Sequence, residues 1–145
     1  MDPGADIVYQ QVGALPYRLS PNGDPEVLLV TSRGTRQWII PKGWPIDGLS
    51  NAESAAREAY EEAGIVGEIG DTLLGMFTYE KARKGETTLS RFSVNVYLLR
   101  VKQQLTYWPE AGERSIGWVS PTQAQSMITN TSLSDLIRKT HFPSV

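Results

Sequence analysis

The sequence predicts an α/β domain with helices layered on a sheet. Three observations carry this expectation. Short apolar strand-like segments recur on both sides of a strongly patterned acidic helix, the helix is joined to the preceding strand by a Gly/Pro-rich loop, and the last quarter of the chain reads as strand followed by helices. At 145 residues the chain is expected to be one domain spanning residues 1–145, large enough for its own core.

Taken in order, Ile7 to Leu19 is apolar enough for a long first strand. Asn22-Gly23-Asp24 signals a turn, and Glu26 to Thr31 reads as a second strand. Trp38-Ile39-Ile40 reads as a short buried strand, and Pro41 to Gly48 as a loop of chain-breaking residues. Ser50 and Glu53 form a capping-box pattern that opens a helix, and Gly64 is suited to close it in a left-handed cap. Leu73 to Lys81 and Leu89 to Val101 read as a hairpin around Lys84-Gly85-Glu86, with Phe92, Val94, Val96 and Leu98 alternating onto one face. Ile116 to Val119 is a short strand. Ser120-Pro121 opens a helix over Thr122 to Ile128, and Thr131 to His141 forms a last one with Leu133, Leu136 and Ile137 as its apolar stripe.

The densest chemistry lies in Arg57-Glu58-Ala59-Tyr60-Glu61-Glu62-Ala63-Gly64-Ile65. At about 100° per residue, Glu61 and Glu62 fall about 60° to one side and about 40° to the other side of Glu58. The three carboxylates therefore share one face, while Ala52, Ala55, Ala56, Ala59, Tyr60 and Ala63 fill the opposite side. Crowded carboxylates repel unless a cation neutralises them, and an oxygen-only ligand set suits Mg²⁺ or Mn²⁺.

With those residues in place, the stretch from Gly43 to Ile65 resembles the Nudix box. That pattern runs Gly, five residues, Glu, seven residues, Arg-Glu, an apolar residue, any residue, Glu-Glu, any residue, Gly, apolar. Gly43, Arg57, Glu58, Ala59, Glu61, Glu62, Gly64 and Ile65 fall on it in register, and Leu49 stands where the box has its first Glu. Glu53 lies four residues before Arg57 and is open to two readings, a brace for Arg57 or a helix cap.

The resemblance implies an α/β/α sandwich around a mixed central sheet and a hydrolase that cleaves a diphosphate linkage with a divalent ion. It implies Glu58 and Glu62 as principal ligands of Mg²⁺ or Mn²⁺, with the backbone carbonyl of Lys42 as a further ligand. Glu61 is either another ligand or the general base, and Arg57 orients the carboxylates. Outside the box, Thr31-Ser32-Arg33, Gln37 to Pro41, Tyr107 to Glu110, Arg114 and Ile116 to Pro121 resemble diphosphoinositol polyphosphate phosphohydrolases. Pro41-Lys42-Gly43 departs from that branch and is similar to the start of the box in dinucleoside tetraphosphate hydrolases. Both branches imply a small substrate with a long, charged phosphate chain.

Arg33, Arg36 and Lys42 on one side of the box, with Lys81, Arg83, Lys84 and Arg91 beyond it, are the candidate phosphate-binding cations. Trp38, Trp44, Trp108 and Tyr79 are candidates for stacking on a base, with core packing the preferred reading for Trp38 and Trp118. A catalytically weakened nucleotide- or RNA-binding module remains the alternative, favoured by Leu49 alone.

Other classes recede. Cysteine is absent, which removes thiol catalysis and disulfides. The lone histidine, His141, is read as a surface residue. No apolar run is long enough to span a membrane, and Met1 to Asp6 lacks the pattern of a signal peptide, so a cytoplasmic protein is expected. The net charge of −2 says little about partners by itself, and the lack of a strong basic stripe argues against a stable nucleic-acid partner.

Overall fold

Two long strands running side by side in the same direction organise the molecule. The structure, a computed structural model, describes residues 7–144, and Met1 to Asp6 lie outside the described residues. Strands β1 (Val8–Leu19) and β7 (Leu89–Gln104) pair in parallel from Val8 opposite Arg91 to Tyr17 opposite Arg100. Each is long enough to serve two antiparallel partners on its other edge. Strand β1 takes β2 (Pro25–Thr31) at Tyr17 to Leu19 and β4 (Lys42–Gly43) at Val12 and Gly13. Strand β7 takes β6 (Gly75–Ala82) along its first half and β5 (Ile65–Ile69) along its second. Strands β3 (Trp38–Ile39) and β8 (Ile116–Val119) both pair with β2. The sheet is therefore mixed, and the β1–β7 pair is its parallel element.

Both faces of this sheet are covered, which explains why its strands read as apolar runs. On one face Val12, Ala14, Leu28, Val30, Tyr97 and Leu99 meet Ala52, Ala55, Ala59 and Ala63 of helix α1 (Asn51–Ala63). On the other, Leu15, Tyr17, Val27, Leu29, Val94 and Val96 meet α2 (Pro121–Met127) and α3 (Thr131–Lys139) through Ala124, Leu133 and Ile137. Parity along each strand sorts the residues: 12 and 14 face α1, while 15 and 17 face the other way. Alanine on α1 brings the helix close to the sheet, so the carboxylates it carries are held against the body of the domain. Trp38 and Trp118 pack half-buried on these cores, and His141 is exposed.

The observed elements differ from the sequence expectation in a few places. Strand β5 was not anticipated, because Gly67 interrupts its apolar pattern. The interruption has a cause: a Cβ at Gly67 would lie 2.1 Å from the Arg100 carbonyl oxygen, at the point where the β5–β7 register shifts. The box loop also contains the two-residue strand β4, which closes on β1 where Gly13 and Ala14 leave room, and Ala14 N–H donates to Pro41 O at 3.0 Å. Strand β6 begins at Gly75, beyond the expected Leu73, and α3 ends at Lys139, before His141. Among the described residues no helix is long and apolar enough to cross a membrane.

Candidate active site

Helix α1 is fixed at both ends, and this fixes its carboxylates. At the start, Ser50 Oγ accepts from Glu53 N–H (3.1 Å) and Ser50 N–H donates to Glu53 Oε1 (2.8 Å). Glu53 is thus the cap, and those hydrogen bonds hold its carboxyl below the usual range. The buried Ser54 Oγ accepts from Ile46 N–H at 3.0 Å and ties the box loop to the helix. At the end, Gly64 adopts φ 68°. The Trp108 ring lies so close that a Cβ at Gly64 would meet it at 2.5 Å. The Trp108 indole donates to Glu62 O (3.2 Å), and Glu110 N–H donates to Glu61 O (3.0 Å). The segment after β7 therefore satisfies the free carbonyls of the helix end.

Glu58 and Glu62, one turn apart, face a cleft of about 840 Å³. Gly43 is required beside them, because a Cβ there would fall 2.5 Å from the Glu58 carboxylate. Glu62 is 2% exposed, although the helical wheel puts it with the charged face. Its roof consists of Lys42 N–H, which donates to Oε2 at 3.2 Å, and Arg114, 3.6 Å from Oε1. Burial pushes the Glu62 carboxyl up to about 9, its hydrogen bond with Glu58 adds to this, and Arg114 opposes it. Burial also raises Glu58, with the hydrogen bond to Glu62 acting the other way. Two neighbouring carboxyls that resist ionising together are suited to a cation that neutralises both.

Glu61 also lines the cleft, but Arg57 Nε donates to its Oε1 at 3.0 Å. Among the described residues no three His, Cys, Asp or Glu side chains converge as a ready-made metal cluster. The three expected carboxylates thus divide into a pair, Glu62 buried and Glu58 half-buried, and one arginine-bound partner. The Arg57 guanidinium also lies 5.2 Å from the centre of the Tyr60 ring. Tyr60 and Ala56 are half-buried, so the packed face is narrower than the sequence suggested.

Cationic side chains share the cleft with the carboxylates. Lys42, Lys81, Arg83 and Lys84 line the cleft, as does Arg33, which pairs with Glu113 at 3.2 Å. Lys42 Nζ donates to Tyr79 Oη (3.0 Å), which is linked in turn to the buried Gln11. Burial lowers the Lys42 ammonium to about 8 and raises the Tyr79 hydroxyl to about 12.

Two expected cations do not line the cleft. Arg36 sits in the β2–β3 turn with φ 57°, its N–H bonded to Ser32 O, and Arg91 lies across from Glu80 on β6, 4.0 Å away. The sequence reading also missed Arg114 and Glu110 as site residues. Arg114 Nε donates to Glu110 at 3.1 Å and a terminal nitrogen donates to Thr31 O at 3.0 Å, so one buried guanidinium joins β2, the loop after β7 and Glu62. Their i, i+4 spacing was the available signal.

The NUDIX domain profile matches residues 10–139. The chain belongs to this family. "Nudix hydrolase 21, chloroplastic" of Arabidopsis thaliana is 34% identical over 132 residues, covering 88% of this chain and 64% of the relative. The chain thus spans slightly less than two thirds of that relative. "Diphosphoinositol polyphosphate phosphohydrolase NUDT4B" of Homo sapiens is 40% identical over 87 residues, 59% of this chain and 44% of that protein. Among solved structures, a C. elegans Ap4A hydrolase superposes with a TM-score of 0.65 at 22% identity, covering 92% of this chain and 96% of its own, a likeness of fold. The mixed α/β sandwich is thus the fold of Nudix hydrolases. Within its Nudix box, Leu49 is an exposed loop residue whose N–H donates to Ile46 O at 3.1 Å.

Proposed function

We propose that this Nudix domain is a divalent-metal-dependent hydrolase. It cleaves a diphosphate linkage in a highly phosphorylated small molecule, a diphosphoinositol polyphosphate or a dinucleoside polyphosphate. The observation that carries this reading is that one cleft holds both the Glu58/Glu62 pair, with Glu62 buried, and the cations Lys42, Lys81, Arg83 and Lys84. Glu58 and Glu62, with the Lys42 carbonyl, would hold Mg²⁺ or Mn²⁺. Such an ion supplies charge neutralisation at the phosphates and a more acidic water. The lysines and arginines orient the phosphate chain by charge-assisted hydrogen bonds. Glu61 takes the proton released by the attacking water, and Arg57 sets its carboxylate. Arg114 limits how strongly Glu62 retains its own proton.

Hydrolysis of diphosphoinositol polyphosphates, dinucleoside polyphosphates and ADP-ribose, with Mg²⁺ and then with chelator, tests the reading. Chelator-sensitive turnover of a highly charged substrate is expected. Nucleotide binding without turnover of any substrate would favour the binding-module alternative.

A pH series provides a second test. In the metal-free protein the folded pKa of Glu62 lies above its ordinary value of 4.5. Its protonated form therefore contributes stability that is complete below about 4.5 and lost as pH rises through about 9. Tm in chelator should fall across that window. A bound cation requires the ionised form, so the rise in Tm produced by Mg²⁺ should grow with pH. A Mg²⁺ effect that is flat from about pH 6 to about pH 9 would contradict the metal assignment.

A further inference from the structure

The charged cleft also holds an exposed indole. Trp44 follows Gly43, the residue that abuts the Glu58 carboxylate, and lines the same cleft as Lys81, Arg83 and Lys84. It is 48% exposed. Its aromatic neighbours do not stack on it: Tyr9 stands perpendicular at 6.2 Å, and Phe92 is tilted by 59° at 6.1 Å.

Tyr79, Tyr9 and Trp108 already have partners. Tyr79 stacks on Phe92 (4.8 Å, 7°) and has the Lys42 ammonium 4.4 Å from its centre. Tyr9 is taken by Phe92 and by the Arg83 guanidinium 4.5 Å from its centre. Trp108 packs over Gly64. Among the described residues that line the cleft, Trp44 is the aromatic side chain most open to a ligand.

We infer that Trp44 is a specificity residue that stacks on a nucleobase, so that the substrate is a nucleotide bearing a phosphate chain and not an inositol polyphosphate. This deepens the hydrolase reading and rests on it for the site of cleavage. An inositol polyphosphate presents phosphates around a saturated ring and has no π face to stack on an indole. A nucleotide carries both a flat π system for Trp44 and charges for the lysines and arginines on the same cleft, and stacking on an aromatic side chain is a general way of holding a base.

The test compares wild type, Trp44→Leu and Trp44→Phe, each first shown by Tm to be folded. KM and kcat are measured for a dinucleoside tetraphosphate and for a diphosphoinositol polyphosphate in Mg²⁺. In parallel, calorimetry follows binding of α,β-methylene-ATP, which needs no turnover. For Trp44→Leu, KM on the dinucleotide should rise about tenfold, the loss expected for one base stack, while KM for whatever turnover the inositol compound supports should stay unchanged. The kcat on the dinucleotide should stay within about twofold, because the group acts in binding. Affinity for the ATP analogue should fall in step, and Trp44→Phe should recover most of it. Equal KM changes on both substrates, or none, overturn the inference. If no substrate is hydrolysed, the hydrolase reading fails, and calorimetry decides the stacking by itself. Unchanged or absent binding of the analogue then overturns it as well.

Discussion

Glu62→Gln should lower turnover at least about a hundredfold, the scale of losing one strong electrostatic contact in a transition state. The substitution preserves shape and removes the one property that a cation site needs, a second ionisable oxygen beside Glu58. Folding should survive, because in the metal-free protein Glu62 is held protonated by burial and by its bond to Glu58. A glutamine amide can donate to Glu58 as that acid does, and it can still accept from Lys42 N–H. The variant should also lose the share of the decline of Tm with pH that Glu62 contributes, since the residue no longer ionises, and with it most of the response to Mg²⁺. Steady-state rates and a Tm series with and without Mg²⁺ check both halves. Near-normal turnover would remove Glu62 from the metal site.

Helix α1 was legible because its signals are local. Ser50 and Glu53 satisfy each other across one turn, Gly64 supplies the left-handed cap, and the spacing of Glu58 and Glu62 brings them together whatever the rest of the chain does. The roof of the site is not local. Glu62 becomes buried only when Arg114 arrives from beyond β7 and the Lys42 amide closes from the box loop. A helical wheel carries neither fact. Proximity in sequence misled in the opposite direction for Arg36, whose positive φ belongs to the turn that joins β2 to β3, and for Arg91, which lies opposite Glu80 across the β6–β7 ladder. Trp108 was read as a possible base stacker. Its ring instead covers Gly64, because a residue without a side chain at the helix end leaves a gap that an indole fills while bonding the Glu62 carbonyl. Strand β5 escaped notice since Gly67 is selected by the approach of the Arg100 carbonyl, a contact with another strand.

Arg114→Leu is expected to destabilise the metal-free protein by about 3 kcal/mol, the low end for breaking a buried ion pair. The Arg114 side chain is only 9% exposed, and it pairs with Glu62 and Glu110 while donating to Thr31 O. Leucine fills part of the space but satisfies none of these oxygens. The cost stays at the low end near neutrality because Glu62 can answer the lost cation by keeping its proton. For a domain of this size, 3 kcal/mol corresponds to a fall in Tm of about 10 °C. The same event should weaken the response to Mg²⁺ at neutral pH, because a more firmly protonated Glu62 must ionise before it can serve as a ligand. Arg114→Lys should fall in between, since one ammonium cannot reproduce the fork that spans three partners. A double-mutant cycle with Glu62→Gln separates the contributions. At about pH 9, where the Glu62 carboxylate forms, the Arg114→Leu penalty should be markedly smaller in the Glu62→Gln background. An equal penalty in both backgrounds would mean that Arg114 serves only as a strut between Thr31 and Glu110 and has no part in setting the charge of the site.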